Sequence, residues 1–164
     1  AELRGIVNAY SKPSMLGVDR WLGVVAGYLK YKEACYIVDC GSAITVDVVD
    51  GAGLHKGGYI IPGISLMRES LIAGTEQVEF EDRIGEGNKF GVSTTECVQE
   101  GVSFVLRSVL ETLKGRMSGE GVGRLIVTGG DGEYLASLVQ GVEYCPDLVF
   151  DGLALAEKCK DESF

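Results

Sequence analysis

Tyr36-Ile37-Val38-Asp39-Cys40-Gly41-Ser42-Ala43-Ile44-Thr45-Val46-Asp47-Val48-Val49 places two β-branched, apolar runs on either side of a tight glycine turn. Such runs read as neighbouring strands, with the turn between them. Two carboxylates and a small hydroxyl flank that turn. Glycine lets backbone N–H groups approach a phosphate closely, and each Asp offers hard oxygens to a cation. The layout suits phosphoryl transfer rather than hydrolysis or metal–thiolate chemistry.

Working outward, residues 1–15 read as a segment connecting into the domain, with Tyr10 embedded in polar surroundings. Leu16 to Tyr31 carries Trp21, Leu22, Val24, Val25, Tyr28 and Leu29 close to helical spacing, with Asp19 in the first turn, where a carboxylate suits the helix dipole. Strands are expected at Cys35–Asp39, Ile44–Val49 and Gly58–Ile61, and Pro62-Gly63 launches a helix to about Ile72. Thr75 to Gly91 reads as an exposed loop. A long helix follows from about Thr94 to Lys114, with a stripe of Val98, Val102, Val105, Leu106, Val109, Leu110 and Leu113. Gly115 to Gly123 reads as a glycine-rich link and Arg124–Thr128 as a buried strand. Asp131 is placed to cap a short helix. Leu148–Phe150 is expected as a last short strand, and Asp151-Gly152 as the opening of a helix to Lys158 before a charged, frayed tail. Hairpins first and crossovers later imply an α/β domain with a mixed sheet and helices packed on it, in the manner of a ribonuclease-H-like half of the actin-like kinases.

A chain of 164 residues is long enough for one buried core. The net charge of -9 leaves no basic stripe for phosphate neutralisation and argues against a nucleic-acid footprint. No run reaches the roughly 18 apolar residues of a membrane span, and no secretory signal precedes the domain. The five cysteines are odd in number and lack C-x-x-C spacing, which favours reduced thiols in a cytoplasmic protein over zinc.

Several residues can carry chemistry, each with a plain structural alternative. Asp39 can bind a cation or cap backbone donors in the turn. Ser42 can contact a phosphate or tighten the same turn. Asp19 can serve as general base and Arg20 can grip a carboxylate; alternatively they are a helix-start carboxylate and a solvated arginine. Ser93-Thr94-Thr95 offers hydroxyls at a helix start, where capping alone also explains them. Thr128-Gly129-Gly130-Asp131 suits a nucleotide resting on backbone. His55, the sole histidine, reads as a surface residue beside a turn.

Taken together these segments resemble the type III pantothenate kinases, a bacterial family of the acetate and sugar kinase, heat-shock chaperone and actin superfamily. Asp39 to Asp47 is similar to the family's D-x-G-T-A-x-T-x-D signature. Asn8-Ala9-Tyr10 and Leu16 to Trp21 look like its substrate segment. Gly57 to Gly63, Gly91 to Thr94, Thr128 to Asp131 and Asp151-Gly152-Leu153 follow in the family's order. The resemblance implies a homodimeric kinase that uses ATP, Mg2+ and a monovalent cation (K+ or NH4+) to phosphorylate pantothenate in coenzyme A synthesis. It implies Asp19 as general base on the primary hydroxyl, and Tyr10, Gly17, Val18, Asp19 and Arg20 as substrate-binding residues. Thr94 would reach the substrate across the dimer interface. Asp39 would hold the cation, Ser42 stands where the family usually has a phosphate-binding Thr, Gly41 belongs to the same turn, and Gly129 and Gly130 would approach the adenosine. The family's D-x-G-N-[ST]-x-x-K phosphate loop is not in this chain. Residues 16–164 are therefore expected to be the C-terminal half of a two-domain kinase, inactive alone. The alternative is a non-catalytic accessory relative that kept the fold and dimer surface.

Overall fold

The computed structural model describes residues 2–72 and 85–161. The expected strand–turn–strand forms as β3 (Cys35–Cys40) and β4 (Ala43–Val49), paired antiparallel with Asp39 opposite Thr45 and Ile37 opposite Asp47. Strand β5 (His55–Pro62) adds antiparallel to β4, with a register shift at Val48/Val49 that brings His55 opposite Val49. On the other side of β3, β6 (Arg124–Thr128) and β7 (Glu143–Tyr144) add in parallel. The order β5-β4-β3-β6-β7 with this mixture of directions is the ribonuclease-H-like sheet.

The period of two along β3 decides what each face receives. Tyr36, Val38 and Cys40 point to one core, with Ile44 and Val46 of β4. Cys35 and Ile37 point to the other, with Val49. Over the first face pack α2 (Ile64–Ile72), α3 (Thr94–Glu120) and α4 (Gly132–Ser137), through residues such as Ile64, Leu106, Leu110 and Leu135. Over the second pack α1 (Val18–Tyr31) and α5 (Leu148–Asp161), through Val24, Val25, Ala26 and Leu148. Asp39 and Asp47 fall on this second, α1-facing side by the same alternation.

Four details differ from the sequence reading. Residues Leu148–Phe150 open α5 instead of forming a strand: Leu148 and Gly152, one turn apart, lie on the face against α1, where a β-carbon at Gly152 would meet the Leu22 carbonyl oxygen at 2.3 Å. The last strand is Glu143–Tyr144. Helix α3 runs through Gly115 to Glu120 and ends at Gly121, whose φ of 66° stops it. A mid-helix glycine costs about 1 kcal/mol, and burial of Leu110 and Leu113 on the sheet outweighs it. Residues 2–7 form a small hairpin, β1 (Glu2–Leu3) with β2 (Ile6–Val7), and Ile6 is fully buried beside Val24 and Val25.

The stretch expected as a loop from Thr75 lies outside the described residues up to residue 84. Its continuation packs on α3, where Glu100 accepts a hydrogen bond from the Gly87 amide at 2.9 Å. Residues 162–164 of the expected tail also lie outside the described residues.

Candidate active site

The carboxyl end of β3, the start of α1 and the turn after β6 converge on one rim. Gly17 is the N-cap of α1, so Val18 and Asp19 occupy its first turn, where N–H groups lack intrahelical partners. The Asp19 side chain curls back over the cap: a β-carbon at Gly17 would lie 2.6 Å from Asp19 Oδ1. Gly17, Val18 and Asp19 are all exposed.

Arg20 turns the opposite way, into the protein. Its Nε and Nη2 donate to Asp47 Oδ2 and Oδ1 at 2.8 and 2.7 Å, and its Nη1 donates to the Tyr10 hydroxyl at 2.9 Å. Both members of the ion pair are buried. The guanidinium crosses β5 at Gly58, the partner of Asp47, where a β-carbon would sit 3.0 Å from Nη2 and 1.8 Å from the Val46 carbonyl oxygen. Tyr10 is held at its own backbone, its amide donating to Asn8 Oδ1 at 2.8 Å.

Two sequence readings change here. His55 is fully buried, not on the surface, and its Nε2 donates to Asp47 Oδ1 at 2.9 Å. Asp47, one of the two carboxylates expected to offer oxygens to a cation, instead accepts from both Arg20 and His55. A signal was available: Asp47 shares a strand face with buried Val49, and a carboxylate on a buried face demands a partner.

Asp39 is half-buried and, among the described residues, has no hydrogen-bond or ion-pair partner. Burial, then the neighbouring charges of Asp19 and Asp47, raise its pKa from the ordinary 3.8. A half-buried carboxylate without an internal partner fits a bound cation. Gly129 lies against it with φ of 94°; a β-carbon there would meet Asp39 Oδ1 and the Cys40 carbonyl oxygen, both at 2.4 Å. Gly41 and Gly130 differ from Gly129. Nothing lies within 4 Å of a β-carbon at Gly130, and only an ordinary 3.8 Å contact meets one at Gly41. Their glycines leave open space above the turns, as a phosphate or nucleoside resting on backbone requires. Ser42 is exposed at the β3–β4 turn, its carbonyl accepting from the Gly63 amide at 3.1 Å.

Tyr10, Gly17, Val18, Asp19, Arg20 and Asp39 therefore gather on the α1 side of the sheet, with Gly41, Ser42, Gly129 and Gly130 at its rim. Thr94 does not join them. It starts α3, whose buried residues pack on the opposite face, and the Ser93 hydroxyl caps that helix by accepting from the Glu96 amide at 3.2 Å. Among the described residues no three His, Cys, Asp or Glu side chains converge as a metal cluster, and no helix is long and apolar enough to cross a membrane.

Residues 1–115 match the family model described as type III pantothenate kinase. The chain is 40% identical over 163 residues to the type III pantothenate kinase of Pseudomonas syringae pv. syringae (strain B728a), with 94% of this chain and 65% of that protein covered. It is 39% identical over 150 residues to the same enzyme of Hahella chejuensis, covering 92% of this chain and 62% of that one. A solved structure from Campylobacter jejuni, described as a conserved Baf family transcriptional activator, superposes with a TM-score of 0.70 at 25% identity, covering 96% of this chain and 70% of the other. The chain thus spans less than two thirds of the length of the curated relatives it matches.

Proposed function

Because this chain belongs to the type III pantothenate kinase family, we propose that it supplies the pantothenate-side half of an ATP-dependent pantothenate kinase, acting in the cytoplasm in the first step of coenzyme A synthesis. The observation that carries the reading is the convergence of Asp19, the Arg20–Tyr10 pair and Asp39 on one rim of the sheet, beside the Gly129 turn.

Phosphoryl transfer asks for alignment and charge neutralisation more than for a covalent nucleophile. Asp19 is exposed at the rim and accepts the proton of the pantothenate primary hydroxyl as that oxygen attacks the γ-phosphorus, with ADP leaving. Tyr10, Gly17, Val18 and Arg20 line the substrate's place, Arg20 through the Nη1 that holds the Tyr10 hydroxyl. Asp39 holds the monovalent cation, which offsets phosphate charge when bound; Mg2+ accompanies the nucleotide. Ser42 and the open backbone at Gly41 and Gly130 receive the phosphates and adenosine, with Gly129 turning the chain against Asp39 beside them. Thr94 belongs to the site only in a homodimer, since its own helix lies across the sheet from Asp19. An apolar groove of about 400 Å³ beside α3, bordered by Tyr59, Ile61 and Phe104, is the surface through which such a homodimer would form.

Calorimetry tests the substrate assignment: the chain is expected to bind pantothenate in preference to other hydroxy acids, and equal or absent binding overturns it. In phosphate-transfer assays the 164 residues alone are expected to be inactive, and robust turnover would contradict the half-site reading. In a full-length kinase of this family carrying the same segment, Asp19→Asn is expected to lower kcat by about 10²–10⁴-fold with little change in pantothenate KM.

A second reading, a non-catalytic accessory protein, draws support from the likeness to the Campylobacter jejuni protein described as a transcriptional activator. Absence of pantothenate binding with an intact fold would favour it.

A further inference from the structure

We infer that His55 is a positioning residue for the pantothenate pocket, acting on Tyr10 through Asp47 and Arg20. The inference rests on the pantothenate reading above and extends it to a residue with no assigned role.

His55 opens β5 at its register shift and is fully buried. Its Nε2 lies 2.9 Å from Asp47 Oδ1, the same oxygen that accepts from Arg20 Nη2 at 2.7 Å. A carboxylate accepts only, so Nε2 carries the hydrogen and donates. Nδ1 is buried and has no hydrogen-bond partner among the described residues. A hydrogen on Nδ1 would be a donor with no acceptor, at a desolvation cost. The geometry therefore places the ring hydrogen on Nε2.

The consequence reaches the pocket by two routes. Asp47, held on one side by His55, presents both oxygens to the Nε and Nη2 edge of Arg20. That leaves Nη1 aimed at the Tyr10 hydroxyl. The imidazole itself also lies nearly parallel to the Tyr10 ring, 6.1 Å between centroids and 20° between planes. His55 thus sets the hydrogen-bonded end of Tyr10 from below while its ring flanks the aromatic face. Without the Nε2–H, Asp47 is free to tilt on its χ2 axis, and the Arg20 fork follows it. His55 itself touches no substrate.

A glutamine carries its amide nitrogen about where Nε2 lies and can replace the donor. An asparagine places its nitrogen near Nδ1 and cannot reach Asp47. His55→Gln is expected to bind pantothenate within about threefold of wild type and His55→Asn to bind about tenfold or more weakly, from one lost buried hydrogen bond. Both variants are to be compared at matched thermal stability. Equal binding by His55→Asn and wild type, or losses in both variants that simply track their melting temperatures, would overturn the assignment.

A second measurement on the same chain needs no ligand. His55 is the sole histidine, so long-range 1H–15N correlation reads its tautomer without ambiguity. Hydrogen on Nε2 only, with a slowly exchanging Arg20 Nε–H in wild type and His55→Gln but not in His55→Asn, supports the positioning chain. Hydrogen on Nδ1 refutes it. If wild type binds no pantothenate, the substrate reading fails and the pantothenate role of His55 with it, while the NMR arms still decide whether His55 orders Asp47 and Arg20.

Discussion

Gly129 sits directly against the Asp39 carboxylate, so close that a β-carbon there would lie 2.4 Å from Oδ1. The strand pairing makes this contact: Asp39 is opposite Thr128 in parallel β3–β6, and the chain turns at Gly129 immediately afterwards. Gly129→Ala is expected to destabilise by about 1–3 kcal/mol, from a φ of 94° and two steric contacts. Gly130→Ala is expected to stay within about 0.5 kcal/mol of wild type but to weaken nucleotide binding in a full-length family kinase carrying this segment. Urea unfolding and nucleotide titration separate the two; equal stability losses would refute the distinction.

Asp47 is the hub of a buried network. Removing it as Asp47→Ala strands the Arg20 guanidinium without a counter-charge, at an expected cost of about 3–5 kcal/mol. Arg20→Lys retains charge but loses the two-pronged contact and the donor to Tyr10, so it is expected to cost about 1–3 kcal/mol and to lower pantothenate affinity. Chemical denaturation with calorimetry checks both. A silent Arg20→Lys would mean the fork is not needed.

Burial and the charges of Asp19 and Asp47 raise the Asp39 carboxyl above its ordinary 3.8. Between that value and the raised one, the unfolded chain releases a proton that the folded chain keeps. Stability from this group therefore falls as pH rises through that window and stays reduced above it. Asp39→Asn is expected to be more stable than wild type at pH 7, with the gain vanishing below the ordinary carboxylate value. Potassium is expected to raise the wild-type Tm relative to choline at equal ionic strength, and not that of Asp39→Asn. Equal potassium shifts in both proteins would remove the cation from Asp39.

At the start of α1, Gly17→Ala would push the Asp19 carboxylate off its present position over the cap. An alanine N-cap costs less than about 1 kcal/mol here, since glycine is only a moderate cap. Stability is thus expected to hold while kcat drops in a full-length family kinase carrying this segment; an unchanged kcat would show that Asp19 acts from another rotamer.

Ser93 accepts from the Glu96 amide, and Glu96 accepts from the Val92 amide at 2.8 Å, so the start of α3 is capped from both directions. Ser93→Ala is expected to cost about 1 kcal/mol by thermal unfolding and to loosen Thr94. If Thr94 serves the partner's site, pantothenate affinity falls only at concentrations where the chain is dimeric, which sedimentation can establish.

The sheet was legible because β3, β4 and β6 are continuous β-branched runs broken by glycine turns, and such runs have few other stable uses. The α3 stripe was legible for the same reason, although its end was not: Gly115 and Gly119 read as a link, while the helix continues because nothing crowds them and Leu113 and Met117 still bury inward. The strand at Glu143–Tyr144 has only two residues, too short for any period to declare itself. Of the candidate site residues, Asp19 and Asp39 were singled out by the motifs they sit in. His55 was not, because a lone histidine beside glycines carries no sign of burial.

The sequence by itself determined the alternation that sends Asp39 and Asp47 to one face of the sheet, the glycine turns that leave room above it, and the helix start that presents Asp19. Only the tertiary structure decided what each carboxylate does there. Asp47 meets Arg20 from 27 residues earlier and His55 across a register shift, whereas Asp39 meets no cationic side chain among the described residues. Local sequence sets the direction in which a side chain points. Which charge waits at that place depends on the helix that packing brings across the sheet, and on that rests the division between Asp47 in a buried ion pair and Asp39 without one among the described residues.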